Sequence, residues 1–480
     1  MITNTLILLS VILLCCIGSA FCEDQRRTGY VVDTSENPFI LTSEGKGFGD
    51  PMPVYWDGVW HLYSLSTDIR TVIHFTSTDL VKWVEHKPAM VGEGIATGTV
   101  VRHENKYHLF YTDSSSQTIH LVTSSNPWEF DFSKNRLLLE ADGKTYQKGW
   151  FRDCYVFYNE QEKLWWMLIE GRSPEVCTGL FKSKDLLTWT QSEPMFKDKA
   201  REFGSCPQIF KQDNLWYLAI QDLGNCYYTA NTPYGPWKDR GQYLSVIVEA
   251  ASRFATDGKR QLTWGWLCDW AARPKVEILS YGGPLSIGRE IVFKKDGTLG
   301  TRPLPELLIA IRKKKNDINL ASARKLSGEW NIDLAKQTLK CSSAGVLVFD
   351  LPVQNPNYYF EAELDLGSPQ TTVNIITRSS DNTDHGYGFA LSPAEKKITI
   401  RDFNYAADHK ILNDKPYSFP KSNKVRLQIF ICDNYMEAFI DNQECLSARV
   451  VDHSSYKLAI ETTDGPVKIT KPFLHYFAGR

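Results

Sequence analysis

The 480-residue chain contains no Asn-x-Ser/Thr triplet, no Lys or Arg ahead of its first apolar run, and no apolar run long enough to cross a bilayer. It also lacks an excess of either charge, with 54 Lys and Arg against 56 Asp and Glu and a net charge of −2. Balanced charge excludes the basic footprint expected of a nucleic-acid binder. The missing triplet removes the usual mark of N-glycosylation. The apolar run at residues 6–17 falls short of a membrane span, and Gly18-Ser19-Ala20 followed by Glu23-Asp24-Gln25 gives it the layout of an export signal. The expectation is a leader over residues 1–22, cleaved after Ala20 or Cys22, and a secreted protein that keeps no membrane attachment.

Of eleven cysteines, Cys15, Cys16 and Cys22 leave with the leader, and none of the remaining eight has the spacing of a zinc site. Eight cysteines in an exported chain allow up to four disulfides. Cys432 and Cys445, on neighbouring strand-like runs, are the first pair to expect. The alternative for Cys154, Cys206, Cys226 and Cys268 is that they are buried free thiols.

What the chain has is a repeat. Gly49-Asp50-Pro51-Met52-Pro53-Val54-Tyr55-Trp56 leads through Asp57-Gly58 into Val59-Trp60-His61-Leu62-Tyr63, a strand-turn-strand plan that returns four more times. Aligned on Trp60, Tyr107, Trp165, Trp216 and Thr263, the copies are 47, 58, 51 and 47 residues apart. Such spacing fits four-stranded blades. A second motif agrees, because Phe75-Thr76-Ser77-Thr78-Asp79-Leu80 recurs two blades later as Phe181-Lys182-Ser183-Lys184-Asp185-Leu186. The predicted fold is all-β: a five-bladed β-propeller over residues 30–300, a linker with a short helix over 301–317, and a β-sandwich over 318–480, where short alternating strands resume.

The first strand of each blade lines a propeller's channel, so the starts of those strands converge. Ten to twelve residues before the anchors stand Asp50, Thr97, Asp153, Ser205 and Ser252. Two carboxylates on one funnel suit glycosyl transfer, one attacking or stabilising the sugar cation and one managing protons. Individually, Asp50 also reads as a turn cap and Asp153 as the partner of a structural ion pair with Arg152. Their equivalent placement on two blades favours chemistry. Phe48, Trp56, Trp150 and Phe151, which flank the carboxylates, are the expected apolar wall for sugar faces.

These segments resemble glycoside hydrolase family 32, the invertases, inulinases and levanases. Gly49-Asp50-Pro51 is similar to the segment that bears the family's nucleophile, Phe151-Arg152-Asp153 to its transition-state stabiliser, and Ala96-Thr97-Gly98-Thr99 to the small-residue segment beside the sugar. Thr263-Trp264-Gly265-Trp266 with residues 283–290 resembles its last blade, and residues 428–440 its C-terminal sandwich. The resemblance implies a retaining fructosidase that acts on sucrose or fructan without metal or organic cofactor, with Arg152 orienting Asp153 and binding sugar hydroxyls. There are departures: Gly49 stands where the family has Asn, and Cys154 where it has Pro. Ser205-Cys206-Pro207-Gln208 stands where the family has Glu-Cys-Pro-Asp, so a serine replaces the acid/base glutamate.

Glu202, three residues upstream, is the expected replacement, provided that the loop at Gly204 folds back. Otherwise it is a solvated charge paired with Arg201. Glu170, Asp222 and Glu249 are lesser candidates. Two other readings stay open: a silent carbohydrate-binding protein that has lost its proton donor, and a propeller hydrolase of arabinan- or xylan-type glycosides.

Overall fold

A computed structural model describes residues 27–222, 224–242, 249–268, 281–351, 353–404 and 409–478. The expected leader lies outside the described residues. Five antiparallel sheets form five blades, their strands in sequence order from the inside outward except that Arg27–Asp33 is added at the outer edge of the first. Their inner strands are Phe48–Trp56, Ile95–His103, Phe151–Asn159, Ser205–Gln212 and Glu249–Thr256. Each touches the inner strand of the next blade, and the first touches the fifth, so the ring closes.

Closure is made by a backbone stitch. Phe48 N–H donates to the Gly283 carbonyl at 2.6 Å, and Gly283 N–H returns the bond to Phe48 at 2.9 Å. A Cβ on Gly283 would sit 1.9 Å from the Leu267 carbonyl oxygen, so only glycine allows this approach. The repeated Ser-x-Asp-Leu motif builds the same turn twice. Asp79 accepts from the N–H groups of Val81 and Lys82, as Asp185 does from Leu187 and Thr188. Leu80 and Leu186 both take left-handed φ values, of 62° and 66°.

The fifth blade ends with Leu299–Pro303, and the helix Pro305–Arg312 follows, with Pro at its first turn where no N–H partner is needed. It buries Leu307, Leu308 and Ile311 against the propeller. Two seven-stranded antiparallel sheets then enclose an apolar core built from the inward alternate residues of strands such as Tyr358–Asp365 and Lys424–Cys432.

Propeller and sandwich share one buried cluster, in which Trp264, Leu285 and Ile287 join Tyr359, Phe430 and Phe439. At its centre Arg289, fully buried, forms ion pairs with Glu249 of the propeller and Glu437 of the sandwich, both also fully buried. Burial first, and Glu249 second, push the Glu437 carboxyl upward against the pull of Arg289.

All eight cysteines among the described residues are buried free thiols, which corrects the expected Cys432–Cys445 disulfide. The strand Tyr435–Ile440 separates the two: Cys432 faces Tyr435 at one end, and Cys445 faces Phe439 near the other. That leaves them roughly 13 Å apart along the strands and 10 Å across them. A disulfide needs Cα atoms within about 7 Å.

Candidate active site

At the mouth of the channel every inner strand breaks its ladder in the same way. The register with the second strand slips between Gly49 and Met52, Ala96 and Gly98, Arg152 and Tyr155, Ser205 and Gln208, and Ala250 and Arg253. These are β-bulges, which free a residue from pairing and re-aim its side chain. The first freed residues are Asp50, Thr97, Asp153, Cys206 and Ala251. Three of them, Asp153, Cys206 and Ala251, hold left-handed φ values of 59°, 52° and 50°. Asp50, Thr97 and Asp153 therefore occupy the positions expected from the repeat. In the last two blades the first freed residue is Cys206 and Ala251; Ser205, expected there, stays in the ladder, and Ser252, also expected, is the second residue of its bulge. Ser205 pairs with Gln221 and is the counterpart of Arg152.

The bulges open on a cavity of about 540 Å³ whose lining includes Asp50, Thr97, Arg152, Asp153 and Ser205. Asp50 is buried, and Trp266 Nε1 donates to its Oδ1 at 2.9 Å while the Thr97 hydroxyl donates to Oδ2. Two fixed donors leave the carboxylate one orientation. Asp153 is held across three blades: its N–H donates to Thr112 Oγ1 at 2.9 Å, and its Oδ2 accepts the Cys206 N–H at 3.0 Å. Thr112 in turn donates to the Thr97 carbonyl at 3.1 Å. Burial first, and then Asp153, hold the Cys206 thiol well above its usual range, so it stays protonated.

Arg152 is bonded to Glu170 and not to Asp153, which corrects the expected Arg152–Asp153 pairing. Its Nε donates to Glu170 Oε2 at 2.8 Å, and its guanidinium lies 4.5 Å over the Trp150 ring. Glu170 sits opposite Arg152 in the ladder and is fully buried. It accepts from Trp150 Nε1 at 3.2 Å, Gly204 N–H at 3.3 Å and the Ser205 hydroxyl at 2.9 Å. Burial first, and Asp153 next, raise its carboxyl, while Arg152 and Ser205 oppose them. For Arg152 itself burial works against the charge, and Asp153 and Glu170 outweigh it.

The expected aromatic wall is not the one formed. Phe48 and Phe151 are fully buried in the core between blades, Phe151 packing on Tyr146 and Phe181. Trp56 closes the far end of its strand against Tyr107, about 20 Å along the chain from Asp50. Trp150 is a platform for Arg152 and Arg172. For Phe48 and Phe151 the bulges cause the error, since they break the alternation that would put residues two apart on one face. Phe203, Trp266 and Tyr281 line the cavity instead. Trp266 lies in a segment legible as the last blade's second strand, but nothing in the sequence marks its indole as the partner of Asp50.

Glu202 is exposed and is not among the residues lining the cavity. Its N–H is held by Asp222 Oδ1 at 3.3 Å and its carbonyl by Arg172 Nη2 at 2.9 Å, so the loop does not fold back. Arg201 pairs with Asp198, Asp222 and Asp239, and not with Glu202. Asp222 does line the cavity, whereas Glu249 is committed to Arg289.

The family model for the glycosyl hydrolases family 32 N-terminal domain matches residues 48–303. A levanase of Bacillus subtilis is 22% identical over 516 residues, covering 95% of this chain and 72% of the relative. A fructan 1-exohydrolase of Aegilops speltoides is 28% identical over 476 residues, covering 83% and 79%. The crystal structure of an exo-inulinase from Aspergillus awamori superposes with a TM-score of 0.68 at 13% identity, over 93% of this chain and 98% of that one. A sucrose-6-phosphate hydrolase from Lactobacillus gasseri gives 0.68 at 15% identity, over 93% and 95%.

Proposed function

The chain belongs to glycosyl hydrolase family 32, and from that premise we propose that it is a retaining β-fructofuranosidase acting on sucrose or fructan. The observation that carries this reading is the pair Asp50 and Asp153, freed by equivalent bulges into one cavity, with Trp266 and Thr97 fixing both oxygens of Asp50.

Asp50 attacks the anomeric carbon as the bond to the leaving oxygen breaks, which forms a fructosyl ester. Asp153 stabilises the oxocarbenium-like charge that develops, pre-oriented by Cys206 N–H so that nothing reorganises during the reaction. Arg152, restrained by Glu170 and Trp150, offers donors to vicinal sugar hydroxyls. Water then opens the ester, and a sugar hydroxyl in its place gives fructosyl transfer. The apolar segment at residues 6–17 supports export.

The first experiment is fructose release from sucrose, inulin and levan by residues 23–480, alongside Asp50→Asn. Turnover that survives the substitution refutes the nucleophile assignment. A second reading, sugar binding without turnover, is favoured by Ser205 at the position of the family's glutamate and by the exposure of Glu202. Binding of the same sugars without release of fructose selects it.

A further inference from the structure

Departure of a sugar alkoxide needs a proton, yet the fourth blade presents Ser205 at the wall and turns Glu202 to solvent. Asp222 is on the wall but is committed to the loop: its Oδ1 accepts two backbone N–H groups, from Glu202 and Phe203, and its Oδ2 faces Arg201 at 3.6 Å. One carboxyl touches the wall from behind. Glu170, fully buried on the second strand of the third blade, meets the hydroxyl of Ser205 at 2.9 Å, and Ser205 itself lines the cavity.

We propose that Glu170 and Ser205 form a two-residue proton relay that stands in for the single acid/base carboxyl missing from the fourth blade. The inference rests on the fructosidase reading above. In the first half-reaction Ser205 gives its hydroxyl proton to the leaving oxygen and takes the carboxyl proton of Glu170. The bond from the anomeric carbon to that oxygen breaks as the bond to Asp50 forms. Ser205 ends neutral, the product is an alcohol, and Glu170 becomes a carboxylate beside Arg152. In the second half-reaction a water gives a proton to Ser205, whose own proton passes to Glu170. The water oxygen bonds to the anomeric carbon, and the ester to Asp50 breaks. Every proton lent is returned.

The surroundings of Glu170 suit a carboxyl that can be charged or neutral. The lack of solvent first, and Asp153 next, favour the neutral form, whereas Arg152 on the adjacent strand favours the charged one. Trp150 Nε1 and Gly204 N–H, on Oε1, hold the group so that Oε2 faces Ser205. Glu170 is thus a positioning and proton-storing group behind Ser205, which alone meets substrate.

The test compares kcat/KM on sucrose with that on an aryl β-fructofuranoside whose phenolate leaves without protonation, in wild type, Ser205→Ala, Ser205→Thr and Glu170→Gln. Both Ser205→Ala and Glu170→Gln are expected to lose about 10²- to 10⁴-fold on sucrose. They should keep most of their activity on the aryl substrate and lose the alkaline limb of the pH profile. Ser205→Thr, which retains the hydroxyl, should recover most of the sucrose activity. Equal losses on the two substrates, or an unchanged alkaline limb, overturn the relay. A wild type that cleaves sucrose while both variants match it sinks the relay alone. A wild type that cleaves neither substrate sinks the fructosidase reading and the relay with it.

Discussion

Replacing Arg289 by Met tests how the two domains are joined. The guanidinium is fully buried and is paired with two fully buried carboxylates, Glu249 and Glu437, one from each domain. Methionine fills most of the volume and strands both charges. Removing one partner of a buried pair costs about 3–5 kcal/mol. For a chain of this size unfolding as one unit, the entropy of unfolding is roughly 1 kcal/mol/K, so Tm should fall by about 3–5 °C at pH 8.

The pH dependence sharpens the test. Glu437 has a carboxyl raised above its unfolded value, first by burial and then by Glu249, and lowered by Arg289. A raised acid binds more protons in the native state. The stability it contributes is therefore full below the ordinary glutamate value and is lost as pH rises through the folded one. Removing Arg289 raises the folded value further, so the deficit of the variant should be small near pH 5 and full at pH 8. Calorimetry of both proteins across that range is the assay. A Tm gap that does not change with pH, or a gap under about 1 °C at pH 8, refutes the reasoning.

Three further outcomes are expected. Gly98→Ala places a Cβ 2.0 Å from the Phe110 carbonyl oxygen beside Thr97; overpacking of this kind costs about 1–3 kcal/mol, and urea denaturation together with at least a tenfold loss of kcat/KM should register it. Trp266→Phe keeps a ring but removes the donor to Asp50 Oδ1. Hydrogen bonds to charged groups are worth about 1.5–3 kcal/mol, so kcat should fall roughly 10- to 100-fold in steady-state assays with a smaller change in KM. Thiol titration of residues 23–480 should find eight reactive cysteines after denaturation and few before it, since all eight are buried and free. Dithiothreitol should leave Tm unchanged, and a Tm that falls on reduction contradicts the free-thiol state.

The propeller was legible because its repeat is carried by aromatic second strands, such as Trp60, Trp165 and Trp216, whose packing between blades is periodic. The placement of Asp50 and Asp153 followed from the same period. What escaped is local. A bulge moves the exposed position by one residue without altering composition, so Cys206 and Ala251 were hidden behind Ser205 and Ser252. The same slip sent Phe48 and Phe151 into the core. Glu170 was visible only as a carboxylate at a blade end. Its contact with Ser205 depends on the pairing of Glu170 with Arg152 and on the approach of the next blade. Glu202 failed for a similar reason, because the hydrogen bonds that hold its loop outward come from Arg172 and Asp222, 30 and 20 residues away.

The five bulges also bear on how such a molecule changes over time. Each blade sets one residue outside its own ladder, so the sheets are held by hydrogen bonds that do not involve the side chains at the cavity floor. Selection can then alter those side chains as it would the loops of other scaffolds, while the blades stay intact. The serine that stands in place of an acid on the fourth blade is the last paired residue before such a bulge, and a carboxylate on a neighbouring blade is in reach of it.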